Sequence, residues 1–188
     1  MYEVKERAQR EGFVYVNLPA ELEATGRSGE AVPILGEGTA FARKLGLLDT
    51  EAWVWANLSE SLHSLGRWQE AGQAARNALR RGRSAKPQGS GAVRLAHLAL
   101  GRGEVAEAKR RLDTARATFG SHDPMPQQWL PMAAIAVGVA AAEDRVLDAR
   151  AELDAALDAG TSPGTQQYGW PLLLAAATAE AGARATAG

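Results

Sequence analysis

Residues 53–79 read WVWANLSESLHSLGRWQEAGQAARNAL. Apolar residues recur at helical spacing as far as Leu62, then Leu65-Gly66-Arg67-Trp68 interrupts the pattern. Glycine takes the left-handed backbone that closes a helix, so Gly66 predicts the end of the first helix. Glu70 and Ala71 open a second helix, and small Ala71 predicts that the two helices approach closely. Ala75, Ala78 and Leu79 continue its inner face. The stretch therefore reads as helix, turn, helix.

The same grammar recurs along the chain. Tyr15, Leu18 and Leu22 precede Gly26-Arg27-Ser28-Gly29-Glu30-Ala31. Leu95 and Leu98 precede Gly103-Glu104-Val105-Ala106-Glu107-Ala108, which is followed by Leu112 and Ala115. Ile135 and Val139 precede Asp144-Arg145-Val146-Leu147-Asp148-Ala149, followed by Leu153, Ala156 and Leu157. The small residues Ala31, Ala71, Ala108 and Ala149 mark the phase of a repeat of about forty residues. The predicted units span about 12–46, 50–83, 89–119 and 129–159, with a terminal helix over 170–184. The stretches 83–91, 119–127 and 160–169, rich in Gly, Pro and Ser, are expected to be loops between units. In phase with these marks a fifth second helix would begin near Ala187, so the chain reads as a fragment of a longer protein forming a single helical-repeat domain.

The second unit resembles the tetratricopeptide repeat. Trp55 and Leu58 take the family's tryptophan and leucine places, Leu62 its tyrosine place and Gly66 its turn glycine. Ala71, Ala75 and Ala78-Leu79 take the second-helix places, while Ser59 stands where the family prefers glycine. The resemblance covers about residues 12–158 and implies an all-α fold: a right-handed tetratricopeptide-like α-solenoid of about four helix–turn–helix repeats plus a C-terminal helix. It also implies burial of Trp55 and Trp68 in the repeat core.

Composition agrees with a helical reading. Alanine, the strongest helix former, makes up about a fifth of the chain, and aromatics only 6%. The 188 residues contain no cysteine, which excludes disulfides, thiolate metal sites and cysteine nucleophiles. Lys+Arg number 21 and Asp+Glu 22, for a net charge of −1. No global positive field exists to hold a phosphate backbone, so direct nucleic-acid binding by this segment is not expected. The N-terminus is charged and lacks a signal-peptide pattern. The apolar windows Leu130–Ala142 and Trp170–Ala179 are too short to cross about 30 Å of hydrocarbon and read as buried core helices. A cytoplasmic protein with no membrane contact is expected.

No motif for catalysis stands out. Leu35-Gly36-Glu37-Gly38-Thr39 lacks the lysine of a phosphate-binding loop, and Gly101-Arg102-Gly103 reads as a turn. Ser121-His122-Asp123 are sequence neighbours and cannot form a triad. Asp154 and Asp158 read as a solvated face. The run Arg76, Arg80, Arg81, Arg83 and Lys86 reads mainly as cations complementing a helix C-terminus. No catalytic residue, metal site or cofactor is expected. Helical spacing instead places Trp53, Ala56, Glu60 and His63 on one face of a first helix, with Phe13 and Val16 before them and Val93 and His97 after. These eight residues are the candidate binding groove, for a protein or peptide partner or a small effector; a homodimer is also allowed. Stacking of first helices in register would bring Glu60, His63 and His97 together.

The phrases LGRWQEA, FARKLGL and YGWPLLLAAATAEA resemble the helical-repeat region of large actinobacterial LuxR-type regulators, which are ATP-binding and related to the maltose-regulon activator. That resemblance implies a signal-sensing or coupling region of a transcriptional regulator, with ATPase and DNA-binding modules elsewhere in the parent. A stand-alone adaptor scaffold is the alternative.

Overall fold

The computed structural model describes residues 2–120, 125–160 and 165–186. Among these residues there are nine α-helices, one short 3₁₀ turn and no strand. They fall into two compact units, Met1–Leu98 and Ala99–Gly188. The first holds α1 (Tyr2–Ala24), α2 (Ser28–Lys44), α3 (Leu48–Ser64), α4 (Trp68–Arg81) and most of α5 (Ala85–Gly101). The second holds the end of α5, α6 (Val105–Phe119), α7 (Pro126–Ala142), α8 (Val146–Asp158), a 3₁₀ turn over Gln166–Tyr168 and α9 (Trp170–Thr186). The chain is all-α, and α2, α4, α6 and α8, the second members of the predicted pairs, start at residues 28, 68, 105 and 146.

Four turns within the pairs share one geometry. Gly26, Gly66 and Gly103 each have φ +74°, and Asp144 takes the same place at φ +56°. The next residue closes a six-to-one hydrogen bond: Arg27 N–H to the Leu22 carbonyl (2.8 Å), Arg67 to Leu62 (2.8 Å), Glu104 to Ala99 (2.9 Å) and Arg145 to Ala140 (2.9 Å). This pattern satisfies carbonyls that the helix end leaves open. Arg27, Arg67 and Arg145 then pair with Glu30, Glu70 and Asp148, three residues on. In the third turn glutamate replaces arginine, and Glu107 instead pairs with Arg110 and Arg111. Ala31, Ala71, Ala108 and Ala149 follow at the same phase, all buried.

In the first unit Leu22, Leu35, Val54, Leu58, Leu62 and Leu98 form the core with Ala31, Ala71 and Ala74. Each large aliphatic side chain fully removed from water contributes about 1.5–3 kcal/mol. The alanines contribute closeness instead: Ala71, Ala75 and Ala78 of α4 retain no accessible surface, and Ala75 and Ala78 stand against Gly91 of α5. Glu51 is the charged member of this interior, 1% exposed. Its Oε1 accepts from Arg43 Nη2 (3.0 Å) and Trp55 Nε1 (3.3 Å), and Arg81 lies 3.6 Å away. In the second unit Leu130, Val137 and Leu172 are the large core residues, with α7 packed on α6, α8 and α9.

Several sequence expectations are corrected. The segment 83–91 is not a loop: α5 begins at Ala85 and absorbs Pro87, Gly89 and Gly91. Pro87 sits in the first turn, where an amide has no intrahelical partner, so its missing N–H costs nothing. Unit boundaries also move. α1 begins at Tyr2, ten residues before the predicted start. α7 begins at Pro126, closed by Gln128 Oε1 accepting from Met125 N–H (3.1 Å). Pro131 lies inside the helix. Of the stretch 119–127, residues 121–124, including His122, lie outside the described residues, as do 161–164 of the third predicted loop.

Burial departs from expectation on three surfaces. Leu18 and Leu157 keep 46% and 55% of their surface exposed and are not core. In α9 the apolar run is core on one face only: Leu172 is 1% exposed, whereas Trp170 and Leu174 are 66% and 70% exposed. Trp68 is also open, for a reason that belongs to the site below.

Candidate functional site

Two imidazoles, an indole and an ion pair meet around His63 and His97 in the first unit. His63 lies in the last turn of α3 and His97 three turns into α5. Their ring centroids are 4.6 Å apart with the planes tilted by 41°. The tight turn at Gly66 folds the start of α4 back, so that Trp68 stacks on His63 with centroids 5.4 Å apart. An indole that caps a half-buried imidazole cannot also enter the core, and Trp68 stays exposed. The expected burial of Trp68 is thus replaced by a stacking role. Trp55 is half-buried, packed against the core with its indole N–H donated to Glu51.

Charged groups frame the two rings. Glu60 on α3 pairs with Arg94 on α5 at 2.6 Å. Glu23 on α1 accepts from Ser64 Oγ through Oε1 at 2.5 Å, while its Oε2 is buried without a hydrogen-bond partner. Burial pushes the His63 pKa down, Arg94 adds to the fall, and Glu23 opposes it. His97 is pushed down to about 4, by burial first and then by the charges of His63 and Arg94. Although His97 as a residue retains substantial accessible surface, its ring is crowded enough for burial to lead. At neutral pH both rings are uncharged, so one nitrogen of each is an acceptor.

Of the eight groove candidates, the structure joins Glu60, His63 and His97, through Arg94 and the ring contact. Ala56 and Val93 are buried, at 2% and 4% exposure, and present no surface. Trp53 is half-buried, and Phe13 stands out on α1 at 61% exposure. Val16 offers its carbonyl to Asn57 Nδ2 at 2.8 Å, tying α1 to α3. Sequence reasoning passed over Trp68, Arg94 and Glu23. Trp68 follows Gly66 by two residues, and a turn that tight returns the chain over the preceding helix end; that spacing was the available signal.

The basic run is largely consumed locally. Arg81 reaches Glu51, Arg80 bonds Asn77 and Arg76 bonds Gln73, while the amides of Arg83 and Ser84 donate to Asp49 Oδ1. Arg80 and Arg81 occupy the last turn of α4, where cations complement the helix dipole. Asp154 and Asp158 are exposed, as a solvated face requires.

In the second unit a cavity of about 640 Å³ opens between α7 and α9, lined by small residues such as Gly138, Ala142, Ala175 and Gly182. Its polar lining is Asp144 and Thr178, and the Thr178 hydroxyl donates to the Leu174 carbonyl. Among the described residues no helix is long and apolar enough to cross a membrane. Compared with protein-family models, curated proteins and solved structures, the chain finds no match.

Proposed function

We propose that this chain is a non-catalytic, tetratricopeptide-like recognition module, and that it couples a signal within a bacterial transcriptional regulator of the LuxR type. The observation that carries the repeat reading is the fourfold recurrence of one turn, with a left-handed residue, a six-to-one hydrogen bond and a buried alanine five residues on. Chains built this way stack units into a solenoid and present one face of their first helices to ligands. On that face stand Trp53, Glu60, His63 and His97, with Trp68 beside them. Aromatic side chains next to paired charges are the usual anchors for a peptide or protein partner. The regulator assignment rests on the resemblance of LGRWQEA, FARKLGL and YGWPLLLAAATAEA.

Two experiments test this reading. Sequencing the gene on both sides of the segment is expected to reveal a P-loop upstream and a basic helix-turn-helix downstream; neither being present overturns the regulator assignment. Replacing Trp53 and His97 by alanine is expected to leave the helical circular dichroism intact and abolish partner binding. Loss of folding in that variant overturns the recognition surface.

A further inference from the structure

We propose that His63 and His97 form a two-imidazole site for a borderline divalent transition-metal ion, zinc, nickel or copper(II), with its remaining coordination positions open to water. The inference rests on geometry within one compact unit. A zinc ion lies about 2.0–2.1 Å from each imidazole nitrogen, which sets two ligating ring centroids about 5 Å apart at a tetrahedral angle and a few tenths of an ångström closer at a right angle. The observed separation is 4.6 Å, across two helices that each hold their histidine in a regular turn. The two rings therefore already stand near the spacing that a shared ion requires.

The charge around the pair suits a cation. Glu60 and Arg94 neutralise each other at 2.6 Å, which leaves the carboxylate of Glu23 acting on His63. The buried, unpartnered Oε2 of Glu23 lies on the α1 side of the cluster. It is an acceptor with nothing to accept, which a bound ion's water can remedy.

The site is open. Among the described residues no three metal-ligating side chains stand close enough to enclose an ion. Two nitrogens without thiolate or a third protein ligand favour copper(II) over nickel and zinc, following the general order of affinity for nitrogen donors. Such a site exchanges its ion readily and leaves room for a donor atom from another molecule.

The test is calorimetric titration of the full chain with Zn²⁺, Ni²⁺ and Cu²⁺ after treatment with a chelator. One ion per chain is expected, with copper tightest. His63→Gln and His97→Gln should each weaken binding by about tenfold or more, since one nitrogen cannot chelate. His122→Gln should bind as the parent does. A second readout survives any folding defect in the histidine variants: Cu²⁺ should quench emission from Trp68, which stacks on His63, and the quenched component should vanish in Trp68→Phe. Absence of binding up to millimolar metal overturns the proposal. So does binding that persists in both histidine variants, or copper quenching that is unchanged in Trp68→Phe.

Discussion

Gly91 of α5 lies so close to Leu79 of α4 that a Cβ at position 91 would stand 2.8 Å from the Leu79 backbone nitrogen. Backbone cannot move aside as a side-chain tip can. This contact explains why a stretch rich in Gly, Ser and Pro is helical: the glycine admits the neighbouring helix and does not break its own. Gly91→Ala is therefore expected to destabilise the chain by about 1–3 kcal/mol, as overpacked sites do. Gly36, exposed inside α2 with nothing within 4 Å of its Cβ position, is the contrast. Gly36→Ala should stabilise by about 0.5–1 kcal/mol through helix propensity alone. Urea denaturation of both variants checks the opposite signs.

The turn residues offer a second pair of opposite signs. Gly66 has φ +74°, where a side chain is strained, whereas Asp144 already bears that strain at φ +56°. Gly66→Ala should cost about 1–2 kcal/mol, and Asp144→Gly should return a smaller gain, by the left-handed penalty for residues with a Cβ. Thermal melts of the two variants measure it. A stabilised Gly66→Ala would show that the turn relaxes to another conformation.

Glu51 anchors three helices from inside the first unit. Its carboxylate accepts from Arg43 in α2 and Trp55 in α3, and Arg81 of α4 stands 3.6 Å away. Both guanidinium groups are half-exposed, so water can serve them when the carboxylate is lost. Glu51→Ala should cost about 2–3 kcal/mol, from lost charged hydrogen bonds and a partly filled hole. Arg81→Ala should cost about 1 kcal/mol or less, as exposed pairs do. Equal losses in the two variants would show that the carboxylate contributes only through Arg81.

Ser59 and Ser61 are each 1% exposed, and neither hydroxyl has a hydrogen-bond partner. A buried hydroxyl without a partner keeps its desolvation cost and gains nothing in return. Ser61→Ala should raise stability by about 1 kcal/mol, and Ser59→Ala should move in the same direction. A clear drop in melting temperature would reveal an ordered water bonded to the hydroxyl.

Acid should act through the two histidines in the metal-free protein. Their folded pKa values lie below the unfolded value, with His97 at about 4. The unfolded chain then binds more protons in that interval, so stability is complete above about pH 6.5 and falls as the pH drops toward 4. Protonation would place two cations in ring contact beside Arg94. Denaturation midpoints measured between pH 7 and 4 should decline less steeply in His97→Gln than in the parent. Parallel curves would show that the loss comes from the carboxylates.

The helices and their turns were legible in the sequence because each depends on neighbours within a few residues. Leu65-Gly66-Arg67 encodes a helix stop wherever it occurs, and the alanines at 31, 71, 108 and 149 marked second helices that the structure places at the same phase. The site was legible only in part. Helical spacing put His63 and His97 on first helices, which was sufficient to suggest that they meet. It could not say that Glu60 would turn to Arg94, or that Ala56 and Val93 would lie inside.

What the sequence determined by itself was local: all-α structure, the order of the helices, and turns set by glycine geometry and apolar period. The tertiary structure alone decided which side chains share a space. Gly91 is a helical residue because α4 lies against it, and Trp68 is open because His63 occupies the ring face it would otherwise bury. Periodicity specifies which face of a helix is apolar, but the depth of burial and the partner of each charge depend on what packs opposite. Those partners lie about thirty to forty residues away in the chain, at Glu60 and Arg94 as at His63 and His97, beyond the reach of any local pattern.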